Sequence, residues 1–120
     1  EMRQAMLLQR VRYGADAFTA HDALSIATRG GAAVLDRDDI GMLAPGMAAD
    51  LIGLDLERLS YAGALHDPAL APVFCHTAAV DLSIVDGKVL VENGSFTSID
   101  LERIVARHNE LSLDLVSRAV

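Results

Sequence analysis

The residues best suited to metal or nucleophilic chemistry in this 120-residue sequence are four histidines and one cysteine: His21, His66, His76, His108 and Cys75. A zinc ion needs three or four nitrogen, sulfur or oxygen ligands brought to one point. No His-x-His, His-x3-His or Cys-x2-Cys is present, so local spacing gives no support for such a site. His21 falls in the first turn of a helix, where a surface or packing role is the simplest reading. His108 lies on an apolar helical stripe and reads as a core or interface histidine. His66 and His76 flank an irregular loop, the kind of position from which a side chain reaches a ligand. Cys75 beside His76 has the right types for a thiol and its base. Adjacent side chains rarely aim at each other, however, and no third, orienting group is identifiable, so a buried structural cysteine fits better.

Other candidates also reduce to structure. Gly30-Gly31 and Gly41 lack the Lys-Ser/Thr ending and the spaced glycines of a phosphate loop. Asp36-Arg37-Asp38-Asp39 has neither the regular oxygen spacing nor the terminal Glu of a calcium loop, and reads as a solvated turn. Met2, Met6, Met42 and Met47 are too dispersed for a cofactor box. No complete active site emerges, and no residue of the chain is expected to be catalytic or to bind a cofactor or a metal.

The elements that would position any chemistry begin with a helix over 1–13, with Met2, Ala5, Met6 and Gln9 on one side and Gly14 as its stop. Thr19 is an N-cap candidate with Asp22 three residues later, a weak capping box. Ala20, Ala23, Leu24 and Ala27 follow helical spacing. Gly30-Gly31 is expected to break that helix, with Ala32–Leu35 resuming as a short one. Ile40–Leu43 reads as a short extended piece, and Pro45-Gly46 as the centre of a type II turn. Residues 49–55 read as a strand with little alternation, so both of its faces are expected to be covered. Residues 56–79 are irregular. A short helix starts at Asp67-Pro68, limited by Pro72. A hairpin follows, Val80–Val85 and Lys88–Val91 around Asp86-Gly87. Its register pairs Val85 with Lys88, Ile84 with Val89 and Leu82 with Val91, which places Leu82, Ile84, Val89 and Val91 on one apolar face. Asn93-Gly94 turns the chain again. A last helix starts at Ser98 or Asp100, with Leu101, Ile104, Val105, His108, Leu111, Leu115, Val116 and Ala119 along one stripe.

Length and composition bound what these elements can build. At 12.8 kDa the chain holds at most one ordinary domain. Its apolar fraction of 52% and mean hydropathy of +0.30 argue against disorder. Aromatics are only 4% and Trp is absent, so the apolar mass is aliphatic and suits a chain buried against something larger. Ten basic against 17 acidic residues give a net charge of −7, with no basic stripe. Nucleic acid and anionic membrane surfaces are therefore poor partners. No apolar run approaches the ~18 residues of a membrane span. A single cysteine excludes an internal disulfide and suits a cytoplasmic setting. The first residues carry no signal-peptide character and open inside a helix, so the chain is expected to begin mid-protein. Two to four short strands cannot close a sandwich or barrel. The missing strands must come from residues not shown or from another chain.

One long stretch adds a family resemblance. Ala23-Leu24-Ser25-Ile26-Ala27-Thr28, then Gly30-Gly31-Ala32-Ala33-Val34-Leu35, then Asp39 to Ile52 with its Ile-Gly-x-Leu-x-Pro-Gly-x-x-Ala-Asp-Leu pattern, resembles the C-terminal part of the amidohydrolase superfamily. The Val85–Val89 hairpin is similar to that family's late sandwich hairpin. Met6–Val11, Ala62–Pro68 and Arg107-His108-Asn109 resemble its aminohydrolase branch, the 8-oxoguanine deaminase and hydroxy-triazine aminohydrolase group. The resemblance spans nearly all 120 residues.

The resemblance implies an α/β fold, a (β/α)8 TIM barrel flanked by a β-sandwich built from both chain ends. Residues 1–39 would be the closing helices of the barrel. Residues 40–97 would be the C-terminal part of the sandwich with an irregular loop, and 98–120 a helix packing back on the barrel. It also implies zinc-dependent hydrolytic deamination of a purine-like heterocycle of the 8-oxoguanine or guanine class, by metal-activated water with carboxylate and histidine proton transfer. The family's metal ligands are a His-x-His, two later histidines and a late Asp. None matches a position here, so they are expected upstream and the segment alone is expected to be inactive. The implied partners are a small heterocyclic substrate and a second copy of the chain. A hydroxy-triazine or other heterocycle aminohydrolase is the rival within the class. The rival from another class is a non-catalytic β-rich interaction or oligomerisation module.

Overall fold

The structure, a computed structural model, describes residues 1–75, 77 and 79–118. Helix α1 (Met2–Tyr13) forms where the sequence places it and ends at Gly14, whose φ of 104° and N–H to the Arg10 carbonyl close the last turn. The chain then turns into α2 (Ala20–Ser25). Arg10 Nε secures the corner by donating to the Phe18 carbonyl at 2.8 Å. α1 and α2 meet through small and flexible side chains. Met6, Ala20, Ala23 and Val73 form the buried cluster, with Met2, Phe18, Leu24 and Leu70 packed against it. The alanines keep the helices close, and Met6 fills the remaining gap.

The capping box at Thr19 is complete. Thr19 Oγ1 accepts from the Asp22 N–H at 3.1 Å, and Asp22 Oδ2 accepts from the Thr19 N–H at 2.8 Å. The Thr19 side-chain and backbone hydrogen bonds hold the Asp22 carboxyl below its ordinary value. A depressed folded-state value means that the cap's contribution is present above the unfolded value, about pH 3.9, and is lost as pH falls through the folded one. Thr19→Ala is expected to cost about 1 kcal/mol. Asp22 in the unsubstituted protein is expected to titrate below free aspartate when followed by carboxyl NMR. A normal Asp22 titration would refute the box.

The expected break at Gly30-Gly31 does not occur. Both glycines are right-handed helical, with φ near −60°, and the helix runs on through a π-helical segment (Ile26–Gly30) into α3 (Gly31–Val34). Thr28 Oγ1 donates to the Leu24 carbonyl at 2.8 Å inside this widened stretch. Hydroxyl back-bonding of this kind perturbs regular helices. Asp36, at φ 52°, ends α3. Its N–H reaches the Ala33 carbonyl, and the Arg37 N–H reaches the Ala32 carbonyl, the paired closure of a Schellman motif.

Four strands make one antiparallel sheet in the order β1 (Leu51–Gly53), β2 (Leu82–Val85), β3 (Lys88–Glu92), β4 (Ser95–Phe96). β1 and β4 are its edges. Ile40–Met42 are bends rather than the start of an extended piece. The strand expected over 49–55 shortens to three residues, and Ile52 is 62% exposed, so one of its faces is open rather than covered. Ala44–Met47 forms the expected turn, closed by Met47 N–H to the Ala44 carbonyl with Gly46 at φ 87°.

The hairpin turns at Asp86-Gly87, both at positive φ, and pairs Val85 with Lys88 and Ile84 with Val89 as expected. A bulge between Ser83 and Ile84 then shifts the register. Leu82 faces Glu92 rather than Val91, and Val91 faces Ser83. Because side chains alternate faces, the shift takes Val91 out of the expected apolar quartet. A second tight turn at Asn93-Gly94 leads to β4.

Between β1 and β2 lie a 3-10 turn (Leu59–Tyr61) and α4 (Ala71–Phe74). The helix expected at Asp67-Pro68 starts three residues later. Asp67 caps a turn instead, its Oδ1 accepting from the Leu70 N–H. Pro72 sits in the first turn of α4, where its missing N–H costs nothing, rather than ending the helix. Helix α5 (Leu101–Arg118) starts after Asp100, whose Oδ1 accepts from the Arg103 N–H at 3.0 Å. No residue of α5 is buried. Ala119 lies outside the described residues.

Candidate functional site

An open groove of about 490 Å3 lies between the helical run Ala27–Leu35 and the first two strands. Ala27, Gly31 and Leu35 form one wall, Met42 the rim, and Ile52 and Ile84 the sheet side. Its floor is set by Gly41, at φ 88°. A Cβ there would lie 3.0 Å from Ala32 Cβ and 3.1 Å from both Arg29 Cα and the Thr28 carbonyl oxygen. The lining is mostly apolar, and Asp50 is its one ionisable member. Asp50 is already engaged, with Oδ1 accepting from the Asp86 N–H at 2.7 Å and so holding the hairpin tip to β1. Thr28 and Ser83 are the other polar side chains of the lining.

The histidines scatter. His21 is exposed in the first turn of α2. His66 is exposed and lines a separate hollow of about 480 Å3 with Asp67, Leu70 and Phe74. Asp67 is committed to its cap there. His108 stands exposed on α5 between Ile104 and Leu111 rather than in a core. His76 lies outside the described residues. Cys75 follows α4, half-buried, with a free thiol. Among the described residues, no three His, Cys, Asp or Glu side chains are placed to hold a metal ion.

The acidic turn is organised by one pair. Arg37 Nε and Nη2 reach Asp39 Oδ1 and Oδ2 at 2.8 and 2.6 Å. That side-chain hydrogen bond raises the guanidinium value and lowers the carboxyl. The Asp39 carbonyl also accepts from the Ala48 N–H at 2.7 Å, tying the two ends of the bend region together.

A more consequential carboxylate had no motif to reveal it. Asp81 precedes β2 and accepts from the Asp55 N–H at 2.7 Å and from the Arg58 guanidinium. Its own N–H donates to the Gly53 carbonyl, and its carbonyl accepts from the Gly94 N–H, both at 3.0 Å. One half-buried residue thus joins β1, the loop after it and the β3–β4 turn. Asp81→Ala is expected to cost about 1 kcal/mol, since it removes a hydrogen bond and an ion pair whose donors solvent can reach. Denaturant unfolding of the whole protein checks this, and an unchanged midpoint would show that the junction carries no stability. Near it, Tyr61 is buried and its hydroxyl lies 2.7 Å from Thr77 Oγ1.

No helix among the described residues is long and apolar enough to cross a membrane. The described residues thus form an α/β unit with an open antiparallel sheet, an apolar groove and a long uncovered helix. Comparison with known proteins gives that unit its family. Residues 1–90 match the profile of the Amidohydrolase family. The chain is 43% identical over 117 residues to an 8-oxoguanine deaminase of Pseudomonas aeruginosa, a match covering 98% of this chain and 26% of that protein. It is 44% identical over 81 residues to a hydroxydechloroatrazine ethylaminohydrolase of Pseudomonas sp. strain ADP, covering 67% of this chain and 17% of that one. Among solved structures, an adenosine deaminase from Xanthomonas campestris with bound zinc superposes with a TM-score of 0.85 at 30% identity, over 100% of this chain and 27% of that one.

The chain belongs to the amidohydrolase family. It spans about a quarter of the length of the 8-oxoguanine deaminase and of the zinc-bound structure that it matches.

Proposed function

We propose that this chain is the C-terminal portion of a zinc-dependent aminohydrolase that deaminates a purine-like heterocycle of the 8-oxoguanine or guanine class. The observation that carries this reading is the 43% identity to an 8-oxoguanine deaminase over almost the whole chain. In this reading residues 1–39 close a TIM barrel, 40–97 belong to the flanking β-sandwich, and 98–120 form a helix that packs back on the barrel. The groove and the exposed face of α5 are the surfaces through which the segment supports that barrel. Bound zinc in such an enzyme supplies an activated water for hydrolysis. The described residues do not fit the ion, so its ligands are assigned to the remainder of a protein as long as the relatives, and this segment is a scaffold. The enzyme is cytoplasmic and homo-oligomeric in this reading.

A second reading is a hydroxy-triazine aminohydrolase, favoured by the 44% identity over 81 residues. Metal analysis of the protein at the relatives' length, followed by ammonia release from 8-oxoguanine, guanine, hydroxy-triazines and adenosine, separates the two. The expected result is one bound zinc and turnover of the oxidised or amino purines, abolished by chelation. Turnover of triazines alone supports the second reading. A protein with neither metal nor turnover returns the segment to a non-catalytic interaction module.

A further inference from the structure

No further inference is drawn: the strongest candidate, the open apolar groove between the Ile26–Val34 helical run and the β1–β2 edge of the sheet, is an unpartnered face already assigned to the scaffold reading, and nothing in the structure shows what else would cover it.

Discussion

Residues 1–120 expressed alone are expected to aggregate, or to unfold without a cooperative transition. The same segment within a protein of the relatives' length is expected to be well ordered. The accessible surface is 9218 Å2, against about 6,300 Å2 for a folded monomer of this mass. The radius of gyration is 17.9 Å, against about 13.6 Å for a compact chain of this length. The excess of roughly 2,900 Å2 is the size of an obligate interface. Much of it is aliphatic. Leu113 and Leu115 on α5 are 73% and 70% exposed, and Val34 and Leu43 beside the groove are 87% and 76% exposed. Each such side chain forgoes about 1.5–3 kcal/mol by staying in water. Four of them together forgo about 6–12 kcal/mol, comparable with the ~5–15 kcal/mol stability of a whole domain. Size-exclusion chromatography and thermal unfolding of the segment are the test. A monomer melting sharply above ~55 °C would show a self-sufficient fold and favour the interaction-module reading.

Gly41→Val is expected to be the most damaging single substitution outside the buried cluster, at about 2–5 kcal/mol. Two costs add. The left-handed backbone at φ 88° disfavours a β-carbon by about 1–2 kcal/mol. The new side chain must also displace the Ala32 β-carbon at 3.0 Å and the Thr28 and Arg29 backbone at 3.1 Å, an overpacking cost of about 1–3 kcal/mol. Gly46→Ala is the control. Its φ is 87° but nothing lies within 4 Å of the added carbon, so only the first cost applies. Chemical denaturation of both variants in the whole protein should rank Gly41→Val well below Gly46→Ala. Equal losses would mean that the close approach of the bend to the helix carries no energy.

Local chemistry was legible where it was self-contained. The Thr19–Asp22 cap, the Asp86-Gly87 and Asn93-Gly94 turns, the Pro45-Gly46 turn and the stripe on α5 all depend on residues within a few positions of one another. Pattern alone failed where distant groups decide. The bulge between Ser83 and Ile84 carries Val91 past Leu82, and no alternation pattern shows it. Gly30-Gly31 reads as a break because two glycines weaken a helix in isolation. Here both glycines stay helical where the Gly41 bend comes close to Thr28, Arg29 and Ala32. Spacing alone offered no pairing of the histidines, and His76 lies outside the described residues. Family membership was legible in the motif from Ala23 to Ile52, although no physical argument from spacing alone would have supplied it.

The π-helical segment also has an evolutionary consequence. Its bonds run from residue i to i+5, so Ile26–Gly30 holds one residue more than an α-helical turn needs to cover the same height. Removing one residue from this stretch would tighten it to α geometry while leaving Ala32 facing Gly41 and Met6 facing Ala23. A one-residue deletion here would therefore be absorbed without re-phasing either end of the helix, whereas the same deletion in α1 or α5 would rotate every later side chain by about 100°.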